Sequence, residues 1–182
     1  MQRDGAVLNM VLRIFLRVIT QSLQAHSPGA AQLDKAALHI GAVAFIHRFG
    51  SSLNEHVHFH VCVVDGAFEA LAGGTDGGAG AGADGDGDGD GDGEDQSLAR
   101  KVIFHPASGI DETAVAQVQA TLRRRILRAF VGRGLLESFE AKDMLAYRHS
   151  GFSADAGVRI AAHDRAGLKR LLRYCARPPF SM

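Results

Sequence analysis

Three histidines alternate with apolar residues in the segment His56-Val-His-Phe-His60. On a β-strand, successive side chains point to opposite faces, so the three imidazoles would share one face and Val57 and Phe59 the other. Imidazoles spaced about 7 Å apart on a rigid strand suit a divalent metal ion. Burying that many imidazoles without a ligand would cost several kcal/mol in unmet hydrogen bonds. The pattern therefore predicts metal binding by His58 and His60, with His56 nearer to the preceding turn.

Tyrosine is the second residue type that could do chemistry here, and the chain has only Tyr147 and Tyr174. Tyr174 lies in Arg170-Leu-Leu-Arg-Tyr174, within a predicted helix, whereas Tyr147 lies in a less regular region. By propensity alone a tyrosine is a packing residue. The surrounding Arg170, Arg173 and Arg177 could hold phosphates, although helical arginines are more often simply solvated.

The elements that must position these residues follow from hydrophobic periodicity and from Gly and Pro punctuation. Helices are predicted over residues 5–25, 111–131 and 164 or 165 to 176, and strands over 41–50, 57–66, 101–105 and 157–162. About six residues separate the first two strands, which favours an antiparallel hairpin. This order predicts an α+β fold, an antiparallel sheet with flanking helices.

Charge is strongly segregated along the 182 residues. The totals are 20 basic and 20 acidic residues, but residues 76–95 hold eight of the acids and neither Lys nor Arg. The remainder has 20 basic against 12 acidic residues, a net charge of about +8. A basic folded part favours nucleic acid as the partner. On the predicted helix 111–131, Arg124 and Arg128 are candidate phosphate contacts.

The acidic segment belongs to a low-complexity Gly/Asp tract, and residues 71–97 are predicted to be a disordered insertion in a surface hairpin. Calcium-binding Gly-Asp repeats need an apolar position in every turn, and this tract has none. The N-terminal apolar stretch is interrupted by Arg13 and Arg17, which argues against a signal peptide and a membrane span. Two cysteines, Cys62 and Cys175, suit a reducing cytoplasm and exclude a four-cysteine zinc module in this chain.

Two segments together resemble one family. GAVAFIHRFGSSLNEHVHFHVCVVDGAFEA (41–70) is similar to the segment of rolling-circle insertion-sequence transposases that leads into their His-hydrophobic-His strand, the signature of the HUH endonuclease superfamily. HDRAGLKRLLRYCARPPF (163–180) is similar to the tyrosine helix of the same family. The resemblance covers nearly the whole chain apart from the Gly/Asp tract. It implies an HUH-endonuclease-like, ferredoxin- or RRM-like core.

This resemblance also implies a mechanism. Tyr174 would attack a DNA phosphodiester, forming a 5′-phosphotyrosine and releasing a 3′-OH, assisted by Mg²⁺ or Mn²⁺ held by the histidines. The implied partner is DNA, as single strands or as hairpin ends of the element, at the nucleoid of the bacterial cytoplasm. Some relatives have two tyrosines four residues apart, and here Arg170 occupies the partner position. A single-tyrosine mechanism, or a variant of reduced function, is therefore implied.

Three matters stay open at this stage. The motif does not fix a third metal ligand, for which His56, Asp65 and His163 are candidates, while His47 and the other isolated histidines are interpreted as ordinary polar residues. Residues 1–182 are expected to form one catalytic domain truncated at both ends. The alternative functions are a non-catalytic DNA-binding remnant and a metal-dependent hydrolase with water as its nucleophile.

Overall fold

The first helix and the two that follow the Gly/Asp tract pack through their apolar faces. A computed structural model describes residues 5–49, 55–71, 101–147 and 152–176, without the side chain of Glu55. Helix α1 (Gly5–Ala25) contacts α2 (Glu112–Gly132), which in turn contacts α3 (Ser138–Ala146). Val18 and Leu23 of α1 and Leu127 of α2 are buried. Because these apolar residues recur at helical spacing, the helices can cover one another.

Helix α1 has the length and apolar character of a membrane-crossing helix, contrary to the expectation drawn from its two arginines. It has 21 residues and a mean hydropathy of 1.4 over an 18-residue window, of which 11% is buried. Core helices of soluble proteins and signal sequences pass the same test. The contacts of α1 with α2 and with strand β4 (Gly66–Ala70) give its apolar side partners within the protein. One such helix near the N-terminus is weak evidence for a membrane span.

The strands within the described residues form two antiparallel sheets. One sheet has the order β1 (Leu38–His39), β4, β5 (Val102–Pro106), and the other is the hairpin of β2 (Ala42–Phe49) and β3 (Glu55–Val63). Antiparallel sheets combined with helices confirm the predicted α+β class. The sequence predicted β2, β3 and β5 but missed the short strands β1 and β4, as well as α3.

Strands β4 and β5 bracket the Gly/Asp tract. Ala70 pairs with Val102, and the amide of Leu71 donates to the carbonyl of Lys101 at 3.0 Å. The chain therefore leaves and re-enters one antiparallel ladder on either side of the tract, as expected of an insertion in a hairpin. The predicted disorder of residues 71–97 lies outside the described residues except at Leu71.

The predicted strand over residues 157–162 is wrong, because this segment forms no ladder in the structure. The amide of Gly157 donates instead to Asp155 Oδ1 at 2.8 Å, and the amide of Ala154 donates to Gln119 Oε1 of α2 at 3.0 Å. Arg159 reaches Asp65 beyond the end of β3, with Nη2 to Oδ2 at 3.2 Å. Side chains therefore hold the segment in an irregular path without an adjacent strand.

The last helix, α4 (Arg165–Cys175), matches its predicted limits. The side chain of Asp164 accepts a hydrogen bond from the amide of Gly167 at 2.7 Å, an N-cap that satisfies one of the free amides of the first turn. Helix α2 begins in the same way, with Asp111 Oδ1 accepting from the amide of Ala114 at 2.9 Å. At the end of α2, Gly134 has a φ of +65°, which a glycine adopts without strain.

Candidate active site

The register of the β2–β3 hairpin assembles a cluster of histidines. His47 lies directly opposite His58, and Phe45 directly opposite His60. Directly opposed residues of an antiparallel pair point to the same side of the sheet. We call this side the histidine face; it carries Val43, Phe45, His47, His58, His60 and Cys62. The ring centroids of its histidines are 5.1 Å apart for 47 and 58, 4.7 Å for 47 and 60, and 5.1 Å for 58 and 60.

His47, His58 and His60 can each offer one nitrogen such that all three nitrogens lie within 4.8 Å of one another. No other group of three potential ligands this close was found among the described residues. The three side chains are half-buried, so an ion would be partly shielded yet reachable from solvent. Two ligands of one ion at bonds of about 2.0–2.1 Å lie no more than about 4.2 Å apart, so binding would draw the most distant pair together.

Two of the three histidines have a backbone carbonyl that orients the imidazole. His47 Nε2 lies 2.7 Å from the carbonyl oxygen of Cys175, and His58 Nδ1 lies 3.1 Å from that of His56. A carbonyl only accepts, so these ring nitrogens must donate, which leaves His47 Nδ1 and His58 Nε2 as the lone-pair nitrogens. Metal-binding histidines usually donate their second ring nitrogen in this manner. The hydrogen bonds thus prepare both rings to act as ligands.

The third imidazole is kept neutral by its surroundings. Partial burial lowers the pKa of His60, and the neighbouring His47 and His58 lower that pKa further. A charged imidazolium would lose hydration there and would meet positive charge when a neighbour is protonated. Since only the neutral ring can donate its lone pair to a metal, the lowered pKa favours a ligand at neutral pH.

The third histidine beside His58 and His60 in the structure is His47. It is none of the three residues that the sequence offered as a third ligand. His56 is exposed, and its ring lies 5.2 Å from that of His58, outside the group of three. Asp65 is engaged with Arg159, and His163 is exposed before α4. The sequence places His47 on the partner strand of the predicted hairpin. Only the register of the ladder shows that it lies opposite His58.

Helix α4 places Tyr174 beside the histidine face. The ring of Tyr174 lies 5.8 Å from that of His60, with the two planes at 89°, and the residue is 60% exposed. Its neighbour Cys175 is buried and supplies the carbonyl that faces His47. The pKa of the Cys175 thiol is raised by burial and, secondarily, by Cys62. The helix is thus fixed to the hairpin by Cys175 while Tyr174 stays open to solvent.

The five arginines expected to contact DNA fall into two groups. Arg170 and Arg173 are exposed on α4, and Arg170 lies one helical turn before Tyr174, with Nη2 3.9 Å from Asp164 Oδ2. Arg124 and Arg128 are exposed one turn apart on α2, which packs on α1 and α3. The first pair therefore lies on the helix that carries Tyr174, and the second pair lies on a different helix. Arg177 lies outside the described residues.

A comparison with protein families decides the relationship that the two segments suggested. The model of the family described as "Putative transposase" matches residues 41–76 and 85–182, together 134 of the 182 residues. The chain belongs to this transposase family. The match includes both strands of the histidine hairpin and the whole of α4, so it covers every element of the candidate site in this transposase.

The family assigns the protein to transposition and hence to interaction with DNA. Searches of curated proteins and of solved structures found no significant match to this transposase. What the individual residues of the site do must therefore be argued from their geometry.

Proposed function

We propose that this transposase nicks and rejoins single-stranded DNA, with Tyr174 as the nucleophile and His47, His58 and His60 as the ligands of a divalent metal ion, in the manner of HUH endonucleases of rolling-circle elements. The observation that carries the proposal is the 5.8 Å separation between the rings of Tyr174 and His60. These residues are distant in sequence, and the fold places the exposed Tyr174 against the histidine cluster. A nucleophile beside a metal site is the arrangement that phosphodiester cleavage requires.

In the proposed reaction, the hydroxyl oxygen of Tyr174 forms a bond to the scissile phosphorus. The bond from phosphorus to the 3′ oxygen breaks, the phenolic proton passes to solvent, and the leaving oxygen becomes a 3′-OH after taking up a proton. The product is a 5′-phosphotyrosine, which retains the energy needed for rejoining. Attack by another 3′-OH on that phosphotyrosine reverses the step and joins the strands.

The histidines hold the ion, whose chemistry when bound is to polarise a phosphate oxygen and stabilise developing charge. Three imidazole nitrogens suit transition metals better than Mg²⁺, which prefers oxygen ligands. Of the two expected ions we therefore propose Mn²⁺. His60 stays neutral because its pKa is lowered, and the carbonyls of Cys175 and His56 keep the other two rings oriented.

The arginines supply the remaining charge in this proposal. Arg170 lies on the same helical stripe as Tyr174 and would hold a phosphate beside the scissile one. Arg124 and Arg128, exposed on α2, would contact DNA farther from the cut or the hairpin end of the element. Binding to chromosomal DNA would keep the protein at the nucleoid.

The test is a denaturing gel of the protein incubated with labelled single-stranded DNA and Mn²⁺. We expect a covalent protein–DNA band that falls below about one-thousandth in Tyr174→Phe, because the nucleophilic atom is removed. Tyr147→Phe is the matched control: the side chain of Tyr147 is exposed at the end of α3, and its hydrogen bonds with Arg123 and Asp143 are made by the backbone, which the substitution keeps. Cleavage that survives Tyr174→Phe would instead indicate water as the nucleophile. DNA binding without any cleavage would indicate a non-catalytic remnant.

A further inference from the structure

A cleft lies between the histidine hairpin and α4, next to the candidate active site. Its volume is about 520 Å³, within the roughly 300–1,000 Å³ typical of ligand sites. Two residues of β2, Val43 and Phe45, form one wall, and Leu168 and Leu172 of α4 with Ala176 at its C-cap form the other. These lining side chains are apolar, yet the cleft is open to solvent and Val43 is 52% exposed. An apolar cleft that is open to solvent beside these residues is a candidate binding site.

We propose that this cleft binds one unstacked nucleobase of the DNA strand, adjacent to the scissile phosphate. The proposal rests on the function proposed above and adds a base-binding site to it. A nucleobase has apolar faces and is attached to a charged backbone, so its site needs an apolar interior with cations along one edge. The cleft has both features.

The edge of the cleft supplies the cations. Arg165, Lys169 and Arg173 line it from α4, and none of its lining residues in the described part of the chain is acidic. They recur at every fourth position, so their attachment points follow one edge of the helix about 6 Å apart. All three residues are exposed. A row of exposed cations beside an apolar cleft is complementary to the phosphates of a strand whose base enters the cleft.

Phe45 supplies an aromatic ring within the cleft. A base stacked on an aromatic ring contributes roughly 5- to 150-fold to affinity, and the contribution tolerates different base types. Phe45 is half-buried and lies on the histidine face. The next residue, Ile46, is exposed and points to the opposite side of the hairpin. The chain thus offers an adjacent apolar residue as a matched control outside the cleft.

The position of the cleft relates the bound base to the cut. Phe45 pairs directly with His60 across the β2–β3 ladder, and the His60 ring lies beside that of Tyr174. Arg173 of the cleft edge directly precedes Tyr174. A base in the cleft would therefore belong to a nucleotide next to the phosphate that Tyr174 attacks, and would help to position that phosphate.

The experiment compares two fluorescently labelled 15-nucleotide strands, oligothymidylate and an abasic strand of equal length, by fluorescence anisotropy in EDTA. Without metal no cleavage occurs, so the result does not depend on the nuclease chemistry. We expect wild type to bind the thymidylate strand at least about fivefold more tightly. Phe45→Ala should bring this ratio close to one while leaving the abasic affinity unchanged, whereas Ile46→Ala should keep the wild-type ratio. Phe45→Leu removes the aromatic ring but keeps an apolar side chain of similar volume. It should also bring the affinity ratio of the two strands close to one, which would show that the effect of Phe45→Ala is not due to misfolding.

A third variant distinguishes the phosphate contacts of the cations from the contacts of the cleft with the base. Lys169→Gln should weaken binding of both strands equally and reduce the slope of log affinity against log salt by about 0.7. Equal binding of both strands by wild type would overturn the proposal, as would a ratio unchanged in Phe45→Ala. A change of oligomeric state in Phe45→Ala would also overturn the proposal, since a second copy of this chain would then be the occupant of the cleft. A base preference without any covalent adduct would contradict the proposed nuclease but not the base site.

Discussion

The two faces of the β2–β3 hairpin are built from alternate residues of the same strands, yet they face different surroundings. The histidine face meets α4 and carries imidazoles whose rings lie 4.7 to 5.1 Å apart. The opposite face, which we call the packing face, carries Ile46 and Phe59, and Phe59 contacts Phe15 of α1 with ring centroids 6.1 Å apart. A period of two therefore separates residues suited to chemistry from residues that anchor the hairpin to the body of the protein.

This comparison teaches that neither face suffices alone. The packing face holds the hairpin against α1 through the contact of Phe59 with Phe15, but it lacks the histidine cluster. The histidine face has those groups, yet it acquires the tyrosine only because α4 docks on it through Cys175 and the cleft. Substitutions on the two faces should therefore change different measurable properties.

The largest effect is expected from removing a histidine of the cluster. His47→Ala, His58→Ala or His60→Ala should each weaken Mn²⁺ binding by at least about 100-fold, because each removes one of three ligands. Isothermal titration calorimetry measures this directly. His56→Ala, which changes the same strand outside the cluster, should alter the affinity less than about threefold. Equal losses at His47 and His56 would contradict the assignment of the third ligand.

Substitutions on the packing face should change the free energy of unfolding rather than the affinity for metal. Phe59→Ala should lower the free energy of unfolding by about 2–3 kcal/mol, since it removes a half-buried ring and its contact with Phe15. Urea unfolding without metal measures the loss. His60→Ala on the neighbouring position should cost less than about 1 kcal/mol in the same assay. A reversal of these two costs would mean that the faces are assigned incorrectly.

The docking of α4 can be tested through its N-cap. Asp164→Ala and Asp111→Ala each remove a side chain that caps a helix, and each should cost about 1 kcal/mol in stability. Only Asp164→Ala should also lower the yield of covalent adduct, because α4 carries Tyr174 whereas α2 packs on α1 and α3. Adduct yields that fall equally in both variants would show that general destabilisation, and not the position of α4, limits the reaction.

The smallest effect is a dependence of stability on pH. The folded-state pKa of His60 is lowered, by burial first and by His47 and His58 second. The unfolded chain, with a pKa of about 6.5, therefore takes up a proton before the folded chain does. Stability should be constant above about pH 6.5 and should fall as the pH drops from there to the lowered pKa. Urea unfolding in EDTA at several pH values should show a weaker fall in His60→Gln than in the wild type.

Local patterns predicted most of the elements around the site. The alternation in β3 predicted that His58 and His60 share one face, and the helix predicted from 164 or 165 to 176 is the one that carries Tyr174. The Gly/Asp tract marked an insertion whose flanking strands β4 and β5 do pair. Each of these signals lies within a few neighbouring residues, which is why sequence reasoning could use it.

The errors arose where the outcome depended on distant partners. His47 joined the cluster because of the ladder register, which also contains an irregularity between His47 and Phe49 and cannot be read from either strand alone. Residues 157–162 have strand-like composition, but the segment is held by Asp155, Gln119 and Asp65 instead of a ladder. Helix α3 is short and only weakly amphipathic, so its pattern did not stand out.

The most direct test of the proposed chemistry is to identify the residue that carries the DNA after reaction. Wild-type protein would be incubated with single-stranded DNA and Mn²⁺, digested with nuclease and trypsin, and its peptides examined by mass spectrometry. We predict a nucleotide-phosphate adduct on the tyrosine of the tryptic peptide that begins at Tyr174, and none on the peptide containing Tyr147. An adduct on Tyr147, or cleaved DNA with a free 5′-phosphate and no modified peptide, would contradict the assignment of Tyr174 as the nucleophile.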